Sequence, residues 1–172
     1  MPVFARTKLL MHDTCFEERP GRVTLKFVGP NPQKIYEKAY ELIKTAFKVS
    51  DSDIQEEQYN WGKGAEEKFK VRWWLHKDLD RFSYFWIRFD LSGSGTEKQG
   101  NASVMVSSYL RTEYPQDTVW QRSLFYEMLR TFWHRIFYHN KRMEYIIQCR
   151  DLVSFYMKKM RELFKELKEE AE

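Results

Sequence analysis

Glycine, proline and cysteine are scarce in this chain: seven, five and two among 172 residues. That scarcity excludes collagen-like and low-complexity chains, and it excludes a fold held mainly by disulfides. Cys15 and Cys149 stand far apart in a chain long enough to build its own core, so reduced thiols and a cytoplasmic location are expected. No run of about 18 apolar residues occurs, so no membrane-spanning helix is expected. The opening MPVFARTKLLMHDTCF has too short an apolar core for a secretory signal and meets Asp13 early; Arg6 and Lys8 retain a trace of an organelle-targeting pattern. Neither sign of charge dominates. With 29 Lys+Arg against 25 Asp+Glu, the net charge of +4 permits contact with nucleic acid or an acidic membrane without arguing for either.

Motifs that carry chemistry are missing as well. His134 and His139 are five apart and leave a helix on different sides, unlike the four-residue spacing of a zinc pair. His12 and Cys15 would give a metal two ligands, with no second pair to complete the site. His76, near Asp78 and Asp80, reads as part of a solvated turn. The stretch SGSGTEKQG, Ser92 to Gly100, lacks both the Lys-Ser/Thr and the following helix of a phosphate loop, and reads as a mobile link between strands. Glu56, Glu57, Glu66 and Glu67 bracket Trp61 as in some sugar sites, but carboxylates on exposed edge strands look the same. No serine or cysteine has a recognisable base. Hence no catalytic residue, metal or cofactor is assigned, and a non-catalytic role is expected.

What is abundant is aromatic. Phe, Trp and Tyr make up 17% of the chain, and six Trp and thirteen Phe must be buried or must bind something. RVTLKFVG, Arg22 to Gly29, alternates as a half-buried strand. Asn31-Pro32 then starts a helix running to about Val49, with Ile35, Ala39, Leu42 and Ala46 on one stripe. An antiparallel meander follows: Asp53–Trp61, Lys68–His76, Phe82–Leu91 and Asn101–Tyr114, with Val3–Met11 as a further possible strand.

The hairpin KFKVRWWLHKDLDRFSYFWIRFD, Lys68 to Asp90, carries aromatics on both faces. A register in which paired numbers sum to an even value gathers Phe69, Val71, Trp73 and Leu75 with Phe85, Ile87 and Phe89 on one face. A slip by one residue would place each of them among cations. The other face sets Trp74 opposite Phe82, Arg72 opposite Tyr84 and Lys70 opposite Trp86. With Arg88 these residues form a basic-aromatic surface of the kind that stacks single-stranded RNA. The cations can instead lid the rings, and the small net charge favours coverage by protein.

After Pro115, a helix starting at Asp117 or Thr118 continues almost to the end. Phe125, Leu129, Phe132, Ile136, His139, Met143 and Ile146 recur at heptad-like spacing; a second phase runs through Ile146, Cys149, Val153, Tyr156, Met160, Leu163 and Leu167. A helix of about 50 residues would be roughly 75 Å long, twice the width of a domain this size. A bend near Asn140 is therefore expected, dividing the chain into an α+β domain, 1–140, and a C-terminal extension, 141–172. The broad aromatic first half would lie on the sheet. The narrow second seam would pack back over the hairpin's second face or form a homodimer.

Strand, helix, antiparallel meander and long C-terminal helix together resemble the helix-grip (START-like, polyketide-cyclase-like) superfamily, on RVTLKFVGPNPQKIYEKAYELIKTAF and the aromatic C-terminal helix over about Arg22 to Tyr138. The resemblance implies an apolar cavity lined by Trp73, Phe85, Phe89 and Val104 from the sheet and Phe125, Leu129 and Phe132 from the helix. The expected fold is α+β, and the expected role is non-catalytic binding of an apolar small molecule or a protein partner, with single-stranded nucleic acid as the alternative.

Overall fold

The computed structural model describes residues 10–16, 21–64 and 66–169. Most of the expected strand Val3–Met11, and the Arg6/Lys8 pattern, lie outside them. The order is β1 (Leu10–Thr14), β2 (Arg22–Gly29), α1 (Lys34–Phe47), β3 (Ile54–Gly62), β4 (Glu67–Asp78), β5 (Ser83–Gly95), β6 (Gly100–Glu113), α2 (Leu124–Trp133), a π-helical turn (His134–Tyr138) and α3 (His139–Glu169). All pairings in the six-stranded sheet are antiparallel, in the order β1-β6-β5-β4-β3, and β2 follows β1 along the same edge of β6. The α+β architecture is compatible with a helix grip.

Strict alternation builds the sheet's inner face. Phe69, Val71, Trp73 and Leu75 of β4 are buried with Phe85, Ile87, Phe89 and Leu91 of β5. Trp73 is 1% exposed, and its neighbour Trp74 sits on the outer face. The even register holds in parity, yet the strands are offset from the expected pairing: Trp74 lies opposite Arg88, Arg72 opposite Asp90 and His76 opposite Trp86. The turn is longer than a minimal hairpin because the Asp80 carboxylate collects the backbone N–H groups of Phe82 and Ser83.

The Ser92–Gly100 link is mostly strand, not a loop. β5 extends through Gly95, β6 begins at Gly100, and a tight turn closed by Thr96 N–H to Gln99 O joins them. Glycine is needed here for close approach: a Cβ on Gly93 would stand 2.5 Å from the Phe69 ring and 2.7 Å from the Asn101 carbonyl.

From Leu124 to Glu169 the helix continues for 46 residues, with no break at Asn140. Its two halves exchange the roles expected of them. Cys149, Val153, Tyr156, Met160, Leu163 and Leu167, offered above as a dimer seam, are buried in the chain's own core beside α1. They cover the sheet's inner face, not the aromatic outer one. Ile146 packs at the margin of the same core. The aromatic first half, α2 and the π turn, forms an arm whose outer side is exposed. Packing accompanies the exchange: the sheet face carrying Trp73, Phe85 and Phe89 shares one core with Val153, Met157 and Met160 of α3, and the α3 rings Tyr156 and Phe164 meet Phe89 and Phe27.

Cys15 and Cys149 are joined as a disulfide, Cα–Cα 5.8 Å, which overturns the expectation of reduced thiols. It ties the end of β1 to α3 and removes Cys15 from any metal set. Among the described residues, no helix is long and apolar enough to cross a membrane.

Candidate functional site

Three places answer to the residues singled out in the sequence: the outer face of the hairpin, the sheet–helix interior, and the arm.

On the outer face, the indoles of Trp74 and Trp86 stack with centroids 3.9 Å apart and planes 10° from parallel. The Arg111 guanidinium sits 3.0 Å from the Trp86 centroid, on the side away from Trp74 because both cannot share one, and Arg88 lies 5.6 Å over Trp74. Ion pairs tie the cations down: Arg72 to Asp90 at 2.6 Å, Arg88 to Asp90 at 2.9 Å, and Arg72 to Glu57 at 3.5 Å. Glu57 falls at a β-bulge in β3 and also accepts from Trp74 Nε1 at 2.7 Å. Tyr84 stacks on His76 at 4.3 Å and donates to Glu113. Of the expected surface, Lys70, Arg72, Trp74, Tyr84, Trp86 and Arg88 do share this face, Lys70 exposed at its rim. Phe82 does not; it turns towards Tyr114, Trp133 and Tyr138. The Trp74–Trp86 stack is capped by Arg111, and among the described residues no helix covers this face.

In the interior, Trp73, Phe85, Phe89 and Val104 come together as expected. Phe125, Leu129 and Phe132 do not join them; they are 57%, 48% and 59% exposed on the arm. The space against the sheet is taken by α3: Tyr156 meets Phe89 edge-on at 5.1 Å, and Phe164 meets Phe27 at the same distance. Of the acidic group near Trp61, Glu56 accepts from Trp73 Nε1 at 3.1 Å and from Tyr36 Oη at 3.4 Å, in a groove of about 520 Å³ that Tyr40, Glu37 and Glu41 also line.

The arm is fixed by polar side chains. Arg130, His134, Tyr138 and Arg142 are four apart, a spacing that drifts about 40° per step in a regular helix. The π turn, with its extra residue, re-phases the stripe. Arg130 pairs with Glu127 and lies over the Tyr114 ring; His134 Nδ1 bonds the Tyr114 hydroxyl. Deeper in, one donor–acceptor chain runs from α3 through the sheet to the β4–β5 turn. Arg142 Nε–H donates to Thr112 Oγ1 at 2.9 Å, Thr112 O–H to Ser83 Oγ, Ser83 O–H to Tyr138 Oη, and Tyr138 O–H to the Asp80 carboxylate. Arg142 also pairs with Asp13 at 2.6 Å, and Tyr145 donates to Asp80 at 3.0 Å. Because the Ser83 proton is committed to a tyrosine, the chain holds and orients; it does not activate a nucleophile.

Titration follows from this wiring. Burial pushes the Tyr138 hydroxyl up, with Asp80 beside it, and Tyr114 is pushed up to about 12, chiefly by burial. Burial alone would raise Asp80, but donors from Phe82, Tyr138, Ser83 and Tyr145 outweigh it and hold the carboxyl below its ordinary value. Its stabilising contribution is therefore complete above the unfolded carboxylate pKa and is lost as pH falls through the lower folded value. Asp80→Asn is expected to cost about 2 kcal/mol at neutral pH and to flatten the acid limb of stability against pH, measured by urea unfolding from pH 2 to 7.

Sequence reading missed Asp80, Ser83, Thr112, Tyr138 and Arg142 as a unit. The signal available was a set of polar residues at inward-facing or helix-stripe positions. No protein-family model matches this chain, and it has no significant match among curated proteins or solved structures.

Proposed function

We propose that this protein is a non-catalytic binding protein whose docking surface is the outer face of the arm. The observation that carries this reading is the exposure of twelve large apolar side chains between Val119 and Ile147, Phe125, Met128, Phe132 and Phe137 foremost. Scaled by side-chain size, they amount to on the order of 1,000 Å² of apolar surface, where a solvated monomer usually shows a patch of a few hundred. A small molecule held between sheet and helix is less well supported, because α3 occupies that space. Single-stranded nucleic acid is less well supported too, because both faces of Trp86 and one of Trp74 are already stacked. The helix-grip likeness is supported by the order of elements and by a sheet that closes on the C-terminal helix.

Serine at Phe125, Leu129 and Phe132 together tests the reading. Retention of the protein on a phenyl matrix should fall sharply, while stability stays within about 0.5 kcal/mol, as for surface positions. A wild-type protein that the matrix ignores, or a variant destabilised by several kcal/mol, would show the face to be internal structure and not a docking surface.

A further inference from the structure

Taking the arm as the docking surface proposed above, we infer that its partner is the surface of an anionic lipid bilayer.

Charge decides between occupants. From Val119 to Ile147, the span of the apolar face, the chain holds Arg122, Arg130, Arg135, Lys141 and Arg142 against two acids, Glu127 and Glu144. Glu127 is taken by Arg130 on the inner side, and Arg142 is taken by Asp13. That leaves Arg122, Arg135 and Lys141 exposed beside the apolar face, with Lys141 3.6 Å from the partly buried Asp80. A second copy docked face to face would bring the same three cations against themselves, with Glu144 near one end as the exposed carboxylate of that span to receive them, an arrangement that disfavours association. An anionic headgroup layer supplies the missing charge at the right depth.

Shape agrees. The exposed face wraps about half of the α2 circumference, from Leu124 and Phe125 through Met128 and Leu129 to Phe132 and Trp133. That is broader than the narrow seam a two-helix pair buries. A helix lying in the headgroup region sinks about 5–10 Å, roughly half to all of its own diameter, and so covers a wide face in one step. Trp120 and Trp133 stand at the two ends of this stretch, and indoles favour the boundary between hydrocarbon and water. The buried chain from Arg142 to Asp80 holds the arm to the domain, so the apolar face is presented without first having to fold.

Flotation with vesicles tests this, using phosphatidylcholine alone and phosphatidylcholine with a third phosphatidylglycerol, in 0.1 M salt. The full-length protein should float with the anionic vesicles and at least tenfold less with the neutral ones. Replacing Arg122, Arg135 and Lys141 with glutamine should weaken anionic binding about 100-fold, and serine at Phe125, Leu129 and Phe132 should abolish it. Unchanged unfolding midpoints establish that both variants fold. Equal binding to neutral vesicles overturns the role given to the cations. No vesicle binding, together with a dimer in native mass spectrometry that the serine variant dissolves, overturns the bilayer and retains the docking face. Neither vesicle binding nor self-association overturns both.

Discussion

A chain ending at Asn140 is expected to be unfolded. It keeps every strand, α1 and the whole arm, and it would be a complete domain if the C-terminal stretch were an appendage. Instead it loses Cys149, Val153, Tyr156, Met157, Met160, Leu163, Phe164 and Leu167, all buried. At roughly 1.5–3 kcal/mol for each buried large side chain, the deficit is on the order of 15 kcal/mol, which matches or exceeds the whole stability of an ordinary domain, about 5–15 kcal/mol. The inner face of β4, β5 and β6 would also be left open to water. Near-ultraviolet circular dichroism and a urea titration check it: no tertiary signal and no cooperative transition are expected. A truncated chain with native-like spectra and a sharp midpoint would show that α3 is dispensable.

Cys149→Ser is expected to lower stability by about 3–5 kcal/mol under non-reducing conditions. The bond joins residues 134 apart, and loop-closure entropy alone gives about 5 kcal/mol for a loop of that length, with measured losses commonly somewhat smaller. Two bonds of the same segment survive the substitution: Cys15 N–H to the Ser108 carbonyl at 3.1 Å and Arg150 Nε–H to the Cys15 carbonyl at 3.2 Å. They keep β1 seated at the edge of β6, so the variant should fold and lose midpoint, not structure. Dithiothreitol should bring the wild-type protein to the same midpoint and leave the variant unchanged. Two free thiols in the denatured, unreduced wild-type protein would contradict the pairing.

Much of the fold was legible from local pattern. A one-residue slip in β4 would put Phe69, Val71 and Trp73 among cations, so the parity of the hairpin could be read even though its offset could not. The offset depends on Asp80 binding two backbone N–H groups, a choice made by one side chain inside a polar turn. Gly93, Gly95 and Gly100 look like a flexible link because glycine scarcity of contacts and glycine demanded by contacts have the same spelling; only the Phe69 ring and the neighbouring strand show which applies. The two halves of the long helix repeat apolar residues at similar intervals, and the half with more rings reads as the better core. The fit of α3 against the sheet and α1 reverses that order, and it is a property of three dimensions. So is the Cys15–Cys149 bond. The outer aromatic face was legible in its residues and in its capacity to satisfy itself, while the polar chain that anchors the arm joins residues as distant as Asp80 and Tyr145 and left no contiguous trace.

The central claim is that one helix buries its C-terminal half and exposes its N-terminal half. Methionine oxidation by dilute hydrogen peroxide, followed by peptide mass spectrometry of the native, lipid-free protein, tests it directly, since thioether oxidation tracks solvent access. Met128 is 65% exposed and should be oxidised within the first minutes, whereas Met160, with no exposed surface, should react only once the protein unfolds. Equal rates at the two positions, or a faster Met160, would contradict the account.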